Sequence, residues 1–350
     1  MVYYIVRPYN IPAGWEQGLA MIGLQAPRRG RQRWTAADMP DQSGRTAVIT
    51  GASNGIGLEI ARVLAGRGAH LVLACRDVRR GRAAADRLGA ALAGAGSKHG
   101  GVSADVVELD LSSLASVHAA AAAIRARYPR LALLINNAGV MEVPYQRTAD
   151  GYELTFATNH LGHFALTGLL LDALLTVPGS RIVTMSSQGH VDGVMNFADL
   201  QSEQSYDPAG AYHQSKLANL LFTYELDRRL RSAGAATLAL GAHPGVVYTD
   251  LFRHRSPLQQ LLISPRARPI NFWAVQSVQQ GALPALRAAT DPSAKSGEYY
   301  GPHRRHDTGY PVPVESSSRS RDVADQARLW QISQELTGVS YRLEPRPQLP

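Results

Sequence analysis

The sequence predicts an α/β fold: a single doubly wound parallel sheet with helices on both faces. Three observations carry that prediction. Short apolar runs alternate with segments of helical period over residues 44–300. No stretch in that interval interrupts the alternation, so one large domain is expected there. The first apolar run, residues 46–50, leads through the glycine turn Thr50-Gly51-Ala52-Ser53-Asn54-Gly55-Ile56-Gly57 into Ile56, Ile60, Val63 and Leu64, spaced as the inner face of a helix.

The elements follow in order. Gly66 and Gly68 end the first helix, and residues 70–74 form a second strand, completing a βαβ unit. Residues 77–92 read as an exposed helix, 94–101 as a loop and 104–109 as a third strand ending at Asp110. Ser112 or Ser113 caps a helix to Tyr128, which Pro129 follows. Residues 131–135 are a fourth strand, leading into Asn136-Asn137-Ala138-Gly139. Asp150 with Glu153 has the form of a capping box and opens a long helix to Leu175. Residues 181–185 are a fifth strand followed by Ser186-Ser187; a helix over 211–230 precedes a sixth strand, 237–242. A helix over 276–289, a seventh strand at 297–300 and a last helix over 323–337 capped by Gly338 complete the series. Residues 1–43, with Pro8, Pro12, Pro27 and Pro40 and no sustained period, are expected to be an extension; residues 301–350 form a C-terminal segment with one helix and a loose end at 344–350.

Composition narrows the function. The chain has 350 residues, 45% of them hydrophobic, enough for a sizeable core. Cys75 is the sole cysteine, which excludes an intrachain disulfide and suits a reducing compartment. No apolar run approaches 18 residues; the most apolar stretch, 164–177, is interrupted by Asp172. Arg7 and Pro8 stand where a secretion signal needs an apolar core, so a cytoplasmic location is expected. The net charge is +8, yet lysine occurs only at Lys98, Lys216 and Lys295 among 36 basic residues. That usage, with alanine runs such as 119–123, reads as a coding bias toward arginine and not as a nucleic-acid surface.

Parallel sheets covered on both faces bind ligands outside the carboxyl ends of their strands, near the switch point. The candidate residues cluster there by segment order alone. A strand, a glycine turn and a helix N-terminus form a phosphate cradle, since glycines let the backbone approach a pyrophosphate and the free N–H groups attract it. Tyr212 and Lys216 stand four apart on one helix face. A neighbouring ammonium favours a phenolate and draws a tyrosine toward acid–base competence.

Together these pieces resemble the short-chain dehydrogenase/reductase family, whose fold is the Rossmann fold. The resemblance covers residues 44–300 and rests on the glycine turn, Asn136-Asn137-Ala138-Gly139, Asn159 in Thr158-Asn159-His160-Leu161-Gly162, Ser187, Tyr212 with Lys216, and Pro244-Gly245, in the family's order. It implies hydride exchange between a nicotinamide cofactor and a carbonyl or alcohol. Tyr212 would be the general acid/base and Ser187 would hydrogen-bond the substrate oxygen, with Ser186 as the rival for that role. Lys216 would hold the nicotinamide ribose, and Asn159 would position a water in a proton relay. Gly51, Ser53, Asn54 and Ile56, in one turn with Gly55 and Gly57, would line the phosphates. Asp110 and Leu111 would border the adenine, Asn137, Ala138 and Gly139 its ribose, and Thr249 would reach the carboxamide.

Ala74-Cys75-Arg76-Asp77, Asn159-His160-Leu161-Gly162-His163-Phe164 and Ser296-Gly297-Glu298-Tyr299-Tyr300 are similar to the branch holding retinol dehydrogenases, the WW-domain oxidoreductase and light-dependent protochlorophyllide reductase. Arg76 ends the second strand, where an arginine accommodates a ribose 2′-phosphate, so NADP(H) is expected; the acidic position of NAD-binding members falls on Cys75. The family's substrate flap would fall between Leu251 and Phe272, where Leu251, Phe252, Leu258, Leu261, Leu262 and Ile263 imply a bulky apolar substrate. Arg253, Arg255, Arg266 and Arg268 also stand there and are read as solvated.

His160, His163, His190 and His243 come with no set of carboxylates or cysteines, so no metal site is expected. Two other readings stay open: a non-catalytic dinucleotide sensor, and a light-dependent tetrapyrrole reductase, for which Cys75 is the only cysteine at hand. A homo-oligomer is compatible with all three.

Overall fold

The computed structural model describes residues 33–94, 101–247, 275–304 and 307–343. Among the described residues, eight strands form one sheet in the order β3-β2-β1-β4-β5-β6-β7-β8. They are β1 (Thr46–Thr50), β2 (His70–Cys75), β3 (Ala104–Glu108), β4 (Leu133–Asn136), β5 (Arg181–Met185), β6 (Leu238–Ala242), β7 (Tyr299–Arg304) and β8 (Thr308–Pro313). All neighbours pair in parallel except β7 and β8. The chain winds outward from β1 to β3, then returns to lay β4 on the other side of β1. The switch point therefore lies between β1 and β4, with Ala47 opposite Leu133 and Ile49 opposite Ile135.

Alternation along each strand divides the core. Ala47, Ile49, Leu71 and Leu73 face α1 (Gly55–Ala65), α2 (Val78–Gly94) and a later helix, Val278–Thr290. Val48, Val72, Leu134 and Ile182 face α3 (Leu114–Arg127) and the helices that follow β4 and β5. That α/β/α layering is the expected doubly wound sheet.

The helix after β4, α4, spans residues 154–175 and is not uniform. One α turn, Leu154–Phe156, passes into a π-helical stretch, Ala157–Leu161, before α-helix resumes over Gly162–Leu175. The expected capping box is not what starts it. Glu153 caps α4 alone, its carboxylate accepting from the Thr155 and Phe156 amides at 2.7 and 2.6 Å. Asp150 instead accepts from the Leu114 amide at 2.8 Å, at the start of α3. α5 runs over Pro208–Ser232, with Asp207 as its cap and Pro208 in its first turn. α6 is Val278–Thr290, capped reciprocally by Ser277 and Gln280.

The sheet continues past residue 300. β8 pairs antiparallel with β7, and α7 (Val323–Thr337) buries Leu329 and Trp330. Upstream, Trp34 and Met39 are buried in the core before β1 begins. Among the described residues, no helix is long and apolar enough to cross a membrane.

Candidate active site

The glycine turn follows β1 at the switch point. Gly51 and Gly55 take positive φ of 67° and 55°, a region that favours glycine. A Cβ on Gly51 would lie 2.9 Å from the Ala138 Cβ, and one on Gly57 would lie 2.5 Å from both Asn137 Nδ2 and the Gly51 carbonyl. The turn and the loop after β4 are thus in contact without side-chain padding. Asn54 is extended and leads into α1, an eleven-residue helix whose first turn presents its amides at this point. Such a cradle fits a dinucleotide pyrophosphate. Beside it, Cys75 is buried, and its burial raises the thiol pKa. Arg76 is exposed at the end of β2. Asp77 caps α2 through the Arg79 and Arg80 amides at 2.9 and 3.1 Å. Arg87, which no sequence pattern marks, reaches back from α2 to the Ser53 carbonyl at 3.2 Å.

Thr50 organises the facing loop. Its hydroxyl oxygen accepts from the Asn137 and Ala138 amides at 2.9 and 3.0 Å and lies 2.9 Å from His163 Nε2. His163 Nδ1 is 3.0 Å from the Asn159 carbonyl. A carbonyl only accepts, so Nδ1 carries the hydrogen and Nε2 receives the threonine hydroxyl. Burial, with the Lys216 charge adding to it, holds His163 neutral, its pKa down at about 4. On the other side, Asp110 Oδ1 accepts from the Ser112 amide and hydroxyl at 2.9 and 2.6 Å. Leu111 crosses α4 at Gly162, where a Cβ would meet its carbonyl at 2.3 Å.

The remaining candidates meet beside that loop. Asn159 sits in the π-helical stretch. Its Oδ1 accepts from the Val140 amide at 2.8 Å, and its Nδ2 donates to the Val140 carbonyl and Ser215 Oγ, both at 2.9 Å. Tyr212 and Lys216 lie on the inner face of α5, 9% and 5% exposed. Lys216 Nζ donates to the Met185 carbonyl at the end of β5, at 3.2 Å. Burial lowers its pKa to about 8. Asn219, one helical turn on, donates to the same carbonyl at 3.0 Å.

The two serines part ways. Ser186 is buried and donates to the Lys216 carbonyl at 2.8 Å. Ser187 is half-buried, and its hydroxyl accepts from the Gly189 amide at 3.1 Å, which leaves its own hydrogen available. The histidines are held by protein groups: His160 Nε2 with Ser333 Oγ at 2.9 Å, His190 with the Ser187 carbonyl at 2.7 Å, and His243 with the Gly245 amide at 3.3 Å. Among the described residues, no three His, Cys, Asp or Glu side chains could share a metal ion. Thr249 and the flap at 251–272 lie outside the described residues.

Sequence reasoning misses Thr50, His163, Ser215 and Asn219 as site residues. His163 stands in a motif of the retinol dehydrogenase branch, and Ser215 and Asn219 flank Lys216, but only the fold shows whom they touch.

A glycine cradle at the switch point, faced by a buried lysine beside a tyrosine, defines a class: dinucleotide-dependent oxidoreductases on a doubly wound sheet. The family model for short chain dehydrogenase matches residues 45–260. Retinol dehydrogenase 12 of Homo sapiens is 42% identical over 302 residues, 85% of this chain and 88% of that protein. Retinol dehydrogenase 14 of Mus musculus is 39% identical over 92% of this chain and 94% of its own. Among solved structures, an uncharacterized protein from Mycobacterium Paratuberculosis superposes with a TM-score of 0.72 at 40% identity, covering 89% of this chain and all of that one. The chain belongs to the short-chain dehydrogenase/reductase family, in the branch of the retinol dehydrogenases. The family's activity is oxidoreduction with a nicotinamide dinucleotide.

Proposed function

We propose that this protein is an NADP(H)-dependent oxidoreductase acting on a bulky apolar carbonyl or alcohol. The observation that carries this reading is the Tyr212–Lys216 pair: a buried lysine whose ammonium lies 5.7 Å from the tyrosine ring centroid, at the C-terminal end of the sheet. Bound nicotinamide would supply or take the hydride. Tyr212 exchanges the proton at the substrate oxygen. Ser187 donates a hydrogen bond to that oxygen. Lys216 offers its remaining N–H donors to ribose hydroxyls and favours the phenolate. Asn159 fixes the Val140 backbone beside the site, and a relay water would meet its carbonyl next to His163.

Arg76, exposed after β2, is the group proposed to meet a 2′-phosphate. Support also comes from a Beutenbergia cavernae structure described as an NAD(P)-dependent gluconate 5-dehydrogenase with NADP bound at low occupancy. It is 25% identical, has a TM-score of 0.55, and is matched over 74% of this chain and 95% of its own. The bulky apolar substrate is supported by the retinol in the names of the relatives and by the leucines of residues 251–263. Cytoplasmic residence is proposed from the sole cysteine.

The test is a panel of all-trans-retinal, a steroid ketone, decanal and benzaldehyde with NADPH and NADH, followed by cofactor absorbance, and the matching alcohols with the oxidised cofactors. Tyr212→Phe should abolish turnover while still binding cofactor. Cofactor binding without turnover of any panel member would favour the sensor reading.

A further inference from the structure

The loop that carries Ser187 is held from a part of the chain that the sequence places outside the catalytic fold. His190 is 1% exposed and lies three residues beyond Ser187. Its Nδ1 is 2.7 Å from the Ser187 carbonyl, and its Nε2 is 3.1 Å from the Ser317 amide. The carbonyl accepts and the amide donates, so His190 is the neutral tautomer with hydrogen on Nδ1. Its ring meets the Tyr299 ring edge-on at 5.5 Å, which fixes its plane. A second tie lies alongside: Arg319 donates to the Gly193 carbonyl at 3.0 Å.

The same loop rests on α5. A Cβ on Gly193 would lie 2.7 Å from the His213 carbonyl, and one on Gly189 would lie 3.5 Å from Tyr212 Cε1. The loop that follows Ser187 therefore packs directly on the helix turn that carries Tyr212. Ser186 anchors the strand end to the Lys216 carbonyl. His190 anchors the following turn to residue 317.

We propose that His190 is a positioning residue: by bridging the Ser187 carbonyl to the Ser317 amide, it holds the Ser187 hydroxyl in register with Tyr212, which makes segment 314–321 part of the catalytic unit. This rests on the reading of Ser187 as the donor to the substrate oxygen.

Three variants test it. His190→Leu removes both bonds. His190→Asn keeps a donor for the Ser187 carbonyl but not the reach to Ser317. Ser317→Pro, at a φ of −59° that suits proline, replaces the amide hydrogen with the ring Cδ, so it both removes the donor and displaces His190 Nε2 from this tie. With the panel member reduced fastest, His190→Leu should lower kcat about 10²-fold, the scale of an ångström misplacement. His190→Asn should recover part of that loss, and NADPH affinity by fluorescence should be unchanged. Hydrogen exchange over residues 187–194 should rise in His190→Leu and Ser317→Pro alike. In a Ser187→Ala background, His190→Leu should cost nothing further.

A kcat within twofold of the parent, unchanged exchange over 187–194, or a full additional loss on top of Ser187→Ala would overturn the proposal. Should His190→Leu not fold, Ser317→Pro gives the same readings. If Ser187→Ala itself keeps full turnover, the serine assignment fails instead, and hydrogen exchange still decides whether His190 holds the loop.

Discussion

Lys216 Nζ sits 5.7 Å from the centroid of the Tyr212 ring and donates to the Met185 carbonyl at 3.2 Å, so one backbone oxygen of β5 fixes the charge beside the phenol. Desolvation brings its pKa from 10.5 down to about 8. Between those values the unfolded chain holds a proton that the folded chain has released. Stability of the cofactor-free protein therefore rises with pH across that window, and the burial penalty on the ammonium is fully present below it. Lys216→Met should flatten the rise, read as the difference in urea midpoint between variant and parent from about pH 8 to 10. Lys216→Arg keeps the charge but not the compact shape, and should lose about 10²-fold or more in turnover. Near-normal turnover by that variant would refute the role given to Lys216.

The serines should separate by readout. Ser187→Ala should lower kcat about 10²-fold with folding intact, the usual loss for one donor to a reacting oxygen. Ser186→Ala breaks the 2.8 Å bond to the Lys216 carbonyl. It should cost about 1 kcal/mol of stability and leave turnover per folded molecule nearly unchanged. The reverse pattern would move the catalytic assignment to Ser186.

Arg76→Ala should abolish cofactor discrimination. A charged hydrogen bond to a phosphate contributes about 1.5–3 kcal/mol, so the NADPH-to-NADH affinity ratio should fall about 10- to 10²-fold. Titration of cofactor fluorescence in both proteins checks it. Equal affinities in the parent would remove the basis for NADP(H).

Two glycines should respond oppositely to alanine. At Gly57 the new methyl meets Asn137 Nδ2 and the Gly51 carbonyl at 2.5 Å, and neither can retreat without moving the turn. Gly57→Ala should destabilise by about 1–3 kcal/mol and weaken cofactor binding together. Gly89, inside α2, has nothing within 4 Å of the place a methyl would take. Gly89→Ala should gain about 0.5–1 kcal/mol and leave binding alone. Thermal melts with and without NADPH distinguish them.

What can be read from the sequence is what local pattern encodes. Residues 46–50 and 181–185 have the same bounds in sequence and structure, because buried parallel strands are short apolar runs bounded by turns. The glycine turn and the Tyr212–Lys216 spacing carry their own geometry. What cannot be read depends on partners far along the chain. Asp150 has the residue type and spacing of a cap for α4, yet its carboxylate serves Leu114, 36 residues earlier. β8 contains Pro311 and Pro313, which argue against a strand except at a sheet edge, where this one lies. Trp34 and Met39 precede the first periodic segment and show no pattern because a single 3₁₀ turn, capped by Thr35, delivers them to the core.

The hydroxyl of Thr50 has a consequence for polarity. It takes both the Asn137 and the Ala138 amides, so at these two residues the backbone has only carbonyl oxygens left to offer. A ligand reaching them is met by a wall of lone pairs and must bring hydrogens of its own. Ribose hydroxyls satisfy that demand and phosphate oxygens do not. Across the turn, the first amides of α1 present the opposite character and welcome anions. The two sides of the switch point thus form a bipolar bed, which suits a sugar on one side and a phosphate on the other and repels an exchange of the two.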